Sequence, residues 1–301
     1  MFTLLVPGKT FIVGEYLALL GESAIIACTS PYFELRVTPT TNATTTSSEF
    51  HKDSPAGKFI ANNRSFFQAW DLKFVDPYEG AGGLGGSTAE FLASYIFKNH
   101  YSEVESHSQL FFDYTKALQD FLAQFEGTNL PSGFDLVAQL NGGVTYFNKS
   151  DGVLNQIKWD FADLDFLILK TPFKIKTHEH LKGLDLNSVL VQKQTVLKEI
   201  VEATRKSLEE SNPELFCKSV NNYYQQMLDA DLVLPETKEV ISEIQKRAGF
   251  KAIKGCGALG ADTILVVDTK EKLTSNAGFF ADYSLTPIGT VQNLGHGLKI
   301  L

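Results

Sequence analysis

The sequence predicts an α+β protein in two halves, with mixed β-sheets and helices packed on them. Three observations predict this class. Strand-like runs open the chain, recur at 165–173 and close it at 285–301. Helix-period runs lie between them, at about 87–100, 108–125, 188–211, 213–230 and 235–248. Strands and helices do not alternate strictly, which argues against a doubly wound parallel sheet. The expected division is 1–160 and 161–301, with the functional cleft between the halves.

Residues 2–40 read as β-structure. "FTLLV" and "TFIVGEYLAL" flank a Pro-Gly turn, which suggests a hairpin, and "YFELRVTPT" alternates apolar and polar residues. Residues 40–58 are polar and turn-rich, so an exposed loop is expected there. "NNRSFFQAWDL" reads as a short helix. From Ser87 the apolar residues Phe91, Leu92, Tyr95 and Ile96 share one helical side. "SQLFFDYTKALQDFLAQF" repeats that character, and "GTNLPSGFD" is a turn cluster. "LVAQLNGGVTYFNK" continues as a short helix or strand, a Gly-Gly turn and a strand. "DFLILKTPF" is a buried-strand signal that opens the second half. The helices at 213 and 235 each begin with Pro, whose missing N–H costs nothing in a first turn. "KAIKGCGALGADTILVV" is a glycine-rich turn entering an apolar strand.

Composition excludes several functions. A net charge of −8 argues against broad nucleic-acid binding, which needs a basic footprint, though not against a small anion in a local positive pocket. Three scattered cysteines, Cys28, Cys217 and Cys256, make neither a disulfide framework nor a zinc site and suit a reducing cytoplasm. "MFTLLVPGKT" has no basic n-region and no long apolar core, so no signal peptide is expected, and no apolar run is long enough for a bilayer. "HEH" at His178–His180 reads as a solvated loop.

The most unusual stretch is "EGAGGLGGSTAEFLASYIFK", with five glycines in positions 79–86 followed by a helical run. Glycines let backbone N–H groups converge on a ligand, and a helix starting at Ser87 aims its free N–H groups and positive dipole end at the same place. Together they suit a phosphate. The alternative is a surface turn capped by Ser87. No Lys follows the glycines and no clean strand precedes them, so neither a Walker motif nor a dinucleotide fingerprint is present. Such a loop must borrow a cation. Lys9, in "VPGKTFIVGEY", is one candidate, or else a solvent-facing turn lysine. Asp135, in "NLPSGFDLVAQLNGG", is a candidate base or a helix cap.

Three patterns in chain order carry a resemblance. "PGKTFIVGEYLALLGESAIIA", "GGLGGSTAE" and "KGCGALGADTILVV", with "SGFD" between the last two, resemble the motifs of the GHMP kinase family of small-molecule kinases. The resemblance spans nearly the whole chain and implies an enzyme that uses ATP and Mg²⁺. Under it, Gly83, Leu84, Gly85, Gly86, Ser87 and Thr88 wrap the nucleotide phosphates, and Ser87 also reaches Mg²⁺. Asp135 takes the proton of the acceptor hydroxyl, and Lys9 pairs with that aspartate. Glu15, Tyr16, Ser132, Gly133 and Gly257 fall around the acceptor, and Gly260 belongs to the third motif. Partners are then ATP and a small alcohol, with no nucleic acid and no membrane, and a homodimer remains open.

This chain departs from the family pattern in places. Gly86 stands where a serine is usual, and Leu259 and Ala261 replace glycines. The second metal ligand is open between Glu90, one turn after Ser87, and Gln124 or Glu126. "GEY", "AQFEGTNLPSGFDLVA" and Asp262 resemble the phosphomevalonate kinases. The Pro-Ser-Gly-x-Asp form and the chain length suit mevalonate kinases. Arg36, Lys52, Lys58 and Arg64 are the cations available for a phosphorylated acceptor. Lys9 speaks against a diphosphomevalonate decarboxylase, and Lys9, Ser87 and Asp135 together speak against a non-catalytic binding protein.

Overall fold

A computed structural model describes residues 1–40, 50–99, 113–114, 132–173 and 186–301. The expected tip of the 40–58 loop, most of the 108–125 helix, most of the following turn cluster, Gln124, Glu126 and the "HEH" segment lie outside the described residues.

Strands β1 (Phe2–Val13), β2 (Ala24–Pro39), β3 (Trp70–Val75), β4 (Val144–Asn148), β5 (Val153–Ile157) and β10 (Lys299–Ile300) form one sheet. Its order is β10-β1-β2-β4-β5, with β3 also paired to β2. β2 is long enough to take two partners on one side: Ala24–Ala27 pair with β4 and Glu34–Pro39 with β3. Strands β6 (Leu164–Lys170), β7 (Ala252–Cys256), β8 (Thr263–Thr269) and β9 (Thr286–Thr290) form the second sheet, in the order β7-β8-β6-β9. Every pairing in both sheets is antiparallel.

The Pro-Gly pair does not turn the chain. Pro7 and Gly8 lie inside β1, where the register against β2 shifts between them. Proline removes one ladder donor, and a bulge is where a strand tolerates that loss. The expected hairpin is therefore one continuous strand, and Lys9 sits in its buried middle rather than on a solvent-facing turn. The "NNRSFFQAWDL" helix is also shorter than expected: after α1 (Pro55–Asn62), α2 spans only Arg64–Phe67 and β3 begins at Trp70. The residues 55–58 expected as loop belong to α1, which Ser54 caps through the Gly57 N–H.

Helix α3 (Gly86–Lys98) buries Phe91, Leu92, Tyr95 and Ile96, the apolar side anticipated from their spacing. These residues share a core with Val6, Phe33 and Leu35 of the first sheet and Phe59 of α1. Helix α4 (Phe134–Asn141) follows, and α5 (Leu186–Glu209), α6 (Pro213–Asp229) and α7 (Pro235–Ala248) occupy the expected ranges; a short α8 (Lys270–Ser275) follows β8. The largest core joins both sheets: Ile12, Val13 and Ile25 pack with Phe166, Ile168 and Val267 and with Leu197 and Val220 of α5 and α6. The chain's last strand returns to pair with β1. No helix among the described residues is long and apolar enough to cross a membrane.

Candidate active site

The site is assembled on β1. Just past the bulge, the Lys9 backbone N–H donates to the Leu84 carbonyl at 3.1 Å, which ties the glycine loop to the strand. Its side chain is buried, and Nζ lies 3.1 Å from Asp135 Oδ1. The same ammonium stands 4.7 Å from the centre of the Phe11 ring. Asp135 is the second residue of α4, behind Gly133 at φ 77°, so a helix N-terminus supports its carboxylate. It does not act as the helix cap, a position Gly133 holds.

The glycine loop is anchored rather than loose. Each glycine costs about 0.5–1 kcal/mol of backbone order relative to alanine. Burial of Leu84 offsets about 2 kcal/mol of that. Helix α3 begins at Gly86 with Gly85 as its cap, at φ 82°. The alternative in which Ser87 caps a surface turn therefore does not hold; Ser87 lies exposed in the first turn, where its hydroxyl is open to a ligand. Thr88 is buried, its hydroxyl 3.2 Å from the Tyr114 hydroxyl.

Two residues that the motif reading left out of the site hold it together. Gln139 is one turn after Asp135 on α4 and fully buried. Its Nε2 donates to the Pro7 carbonyl at 2.9 Å and the Gly85 carbonyl at 3.2 Å. One amide therefore joins the strand, the glycine loop and the helix that carries Asp135. Its i+4 spacing from Asp135 was the available signal.

Asp262 is the other. A Cβ on Gly83 would lie 2.4 Å from Asp262 Cβ, and one on Gly257 would lie 2.1 Å from Asp262 Oδ2. Gly83 and Gly257 also have φ of 74° and 85°, so backbone and space both require glycine there. Burial raises the Asp262 carboxyl, the Lys9 ammonium lowers it and the Asp135 carboxylate raises it. The third glycine turn therefore brings an acidic group to the 80–86 glycine loop, within the field of Lys9 and Asp135.

Other expected residues have different surroundings. Glu90 is half-buried, and its carboxyl is pushed up to about 7 by burial and then by the Asp76 carboxylate. Asp76 accepts from the Tyr78 and Gly80 N–H groups at 2.8 and 2.7 Å, which places Glu90 near the start of the loop. Ser132 Oγ accepts from the Phe134 N–H at 3.4 Å. Glu15, expected beside the acceptor, has one carboxylate oxygen 2.8 Å from Lys254 Nζ, and the buried Tyr16 hydroxyl accepts from the Leu259 N–H at 2.9 Å. Among the described residues no group of three or more His, Cys, Asp and Glu side chains is placed to hold a metal. All three cysteines are free and buried.

No family model matches the chain, and no curated protein matches it. Solved structures do. Streptococcus pneumoniae phosphomevalonate kinase in complex with phosphomevalonate and AMPPNP has a TM-score of 0.72 at 16% identity, covering 96% of this chain and 99% of that one. Methanococcus jannaschii mevalonate kinase has a TM-score of 0.68 at 14% identity, covering 98% of each chain. Lactococcus lactis galactokinase complexed with galactose has a TM-score of 0.72 at 12% identity, covering 99% of this chain and 94% of that one. At these identities the likeness is one of fold: the chain has the fold of the GHMP kinases.

Proposed function

We propose that this chain is an ATP-dependent small-molecule kinase that moves the γ-phosphoryl group of ATP to an alcohol of the mevalonate type, with phosphomevalonate as the preferred acceptor. The observation that carries the proposal is the 3.1 Å contact between Lys9 and Asp135, made by a lysine whose own N–H is bonded to the glycine loop. Base, cation and phosphate cradle are thereby one rigid unit. A fold shared with a structure holding phosphomevalonate and AMPPNP, an ATP analogue, supports the same reading.

Phosphoryl transfer depends mainly on positioning and on neutralising charge at the migrating group. In this reading the N–H groups of the loop and of the first turn of α3 face the phosphates. Asp135 accepts the proton of the acceptor hydroxyl as oxygen attacks phosphorus, and Lys9 holds that carboxylate in place and offsets negative charge. Mg²⁺ suits a site with few protein oxygens, because it keeps water and phosphate ligands. Ser87, exposed at the helix start, and Glu90, one turn later, are the residues that would hold it. When bound, it would shield the β- and γ-phosphate charges.

Mevalonate is the second reading, and one observation favours it. A phosphorylated acceptor needs a further cation near Asp135. Arg36 is engaged with Glu34 at 2.6 Å on the surface. It also lies up to roughly 26 Å along the strand from Cys28, at ~3.3 Å per residue, and Cys28 is the residue opposite Lys9. Lys52 and Arg64 are exposed, and Lys58 is half-buried on α1.

The test is ADP release with Mg·ATP and, in turn, phosphomevalonate, mevalonate, homoserine and galactose. Turnover with phosphomevalonate well above the others is expected. Turnover with mevalonate alone selects the second reading. ATP-dependent CO₂ release from diphosphomevalonate, without turnover on the four alcohols, overturns both.

A further inference from the structure

We propose that Glu15, Tyr16 and Lys254 are positioning residues that lock the third glycine turn onto the first strand, and through that turn fix Asp262 against the phosphate loop. The inference rests on the kinase reading for its catalytic consequence, but its structural part stands alone.

Glu15 leaves the end of β1 and meets Lys254 in the middle of β7, with Oε1 and Nζ 2.8 Å apart. The side chains are 7% and 0% exposed. An ammonium so deeply buried is tolerated only with a partner, since desolvation costs several kcal/mol per ion. One oxygen of Glu15 is thus engaged with Lys254, while its Oε2 is buried without a hydrogen-bond partner. Tyr16 adds a second tie: its hydroxyl accepts from the Leu259 N–H at 2.9 Å and donates to the Leu232 carbonyl at 3.3 Å.

Leu259 is where such a tie is needed. Its φ of 53° is left-handed, which costs a non-glycine residue about 1–2 kcal/mol. Its N–H is held by Tyr16, its carbonyl accepts from the Leu234 N–H at 2.9 Å, and its side chain is buried with Leu234 and Ala261. The leucine standing at a glycine position is therefore pinned from both ends of its backbone unit. Three residues later Asp262 stands close enough to Gly82 and Gly83 that a Cβ on either would clash with it. The path from "GEY" to the phosphate loop is continuous: Glu15 and Tyr16 hold β7 and Leu259, the turn carries Asp262, and Asp262 sets the loop glycines.

Tyr16→Phe is the main test because it removes one hydroxyl and keeps the ring. Glu15→Gln and Lys254→Met, with their double variant, are the companions. Hydrogen exchange is read at the Leu259, Gly82 and Gly83 amides, and steady-state kinetics give kcat and KM for ATP and for the acceptor. In Tyr16→Phe the Leu259 amide should lose about tenfold in protection, with Gly82 and Gly83 following. kcat should fall about tenfold or more while acceptor KM stays within about twofold. The double variant should lose less than the two single changes combined, because they break one pair. Unchanged protection at Leu259, or a raised acceptor KM with unchanged kcat, overturns the proposal and returns these residues to the acceptor pocket. If the parent enzyme turns over none of the alcohols, the kinase reading fails, and the exchange data still decide the structural tie. Failure of Lys254→Met to fold leaves Tyr16→Phe decisive.

Discussion

The Gln139 amide reaches the Gly85 carbonyl at 3.2 Å, bonding α4 to the residue that caps α3. The same nitrogen bonds the Pro7 carbonyl, two residues before Lys9. The helix that carries Asp135 is thereby registered against the other parts of the site by a single side chain.

Gln139→Leu should therefore cost stability and shape together. It keeps the volume but takes this donor from the Pro7 carbonyl, at about 1–3 kcal/mol for a buried group left unsatisfied, while the Gly85 carbonyl keeps the Ala89 N–H. Urea unfolding should show a lowered midpoint with an unchanged slope, and Mg·ATP affinity by calorimetry should fall in the folded variant. Full affinity would mean that the loop holds its shape without this amide.

Gly83→Ala meets two obstacles, a left-handed φ of 74° and an Asp262 Cβ 2.4 Å from the added methyl. The backbone part alone costs about 1–2 kcal/mol. Adding Asp262→Gly should recover the steric part and leave the backbone part, so the double variant should unfold between Gly83→Ala and the parent. Identical stability of Gly83→Ala and the double variant would show that the two do not touch in solution.

Glu90 gives a pH signature. Its folded carboxyl is raised to about 7 by burial and then by Asp76, above the ordinary glutamate value of 4.5. The folded protein then binds more protons than the unfolded chain between those values. Stability from the neutral Glu90 is full below about 4.5, declines as pH rises toward 7 and levels off above it. Glu90→Gln should flatten that slope, read as melting temperature from pH 5 to 8. If Glu90 also holds Mg²⁺, binding of Mg·ATP should release a proton near pH 7, visible as a buffer-dependent heat that Glu90→Gln abolishes.

The sequence carried the elements with strong periodicity. The α3 face, the three helices from α5 to α7 and the strand at Leu164–Lys170 stand where their spacing put them. Pro7-Gly8 misled because a bulge and a turn share the same residue signature, and only the pairing of β1 along β2 separates them. β3 was hidden by Phe66 and Phe67, which extend a helical pattern up to the strand. Lys9, Asp135 and the glycine loop were visible through motif order. Gln139 and Asp262 lie inside the same motifs, but their part in the site was not visible, because their contacts join residues far apart in the chain.

The central claim is that Asp135, held by Lys9, is the base of a phosphoryl transfer. The most direct measurement is ADP formation by Asp135→Asn with saturating Mg·ATP and phosphomevalonate or mevalonate, beside its circular dichroism and melting curve. A folded variant with turnover lowered by about 10²-fold or more, and Mg·ATP still bound, is the predicted result. A folded variant with near-parental turnover would contradict it.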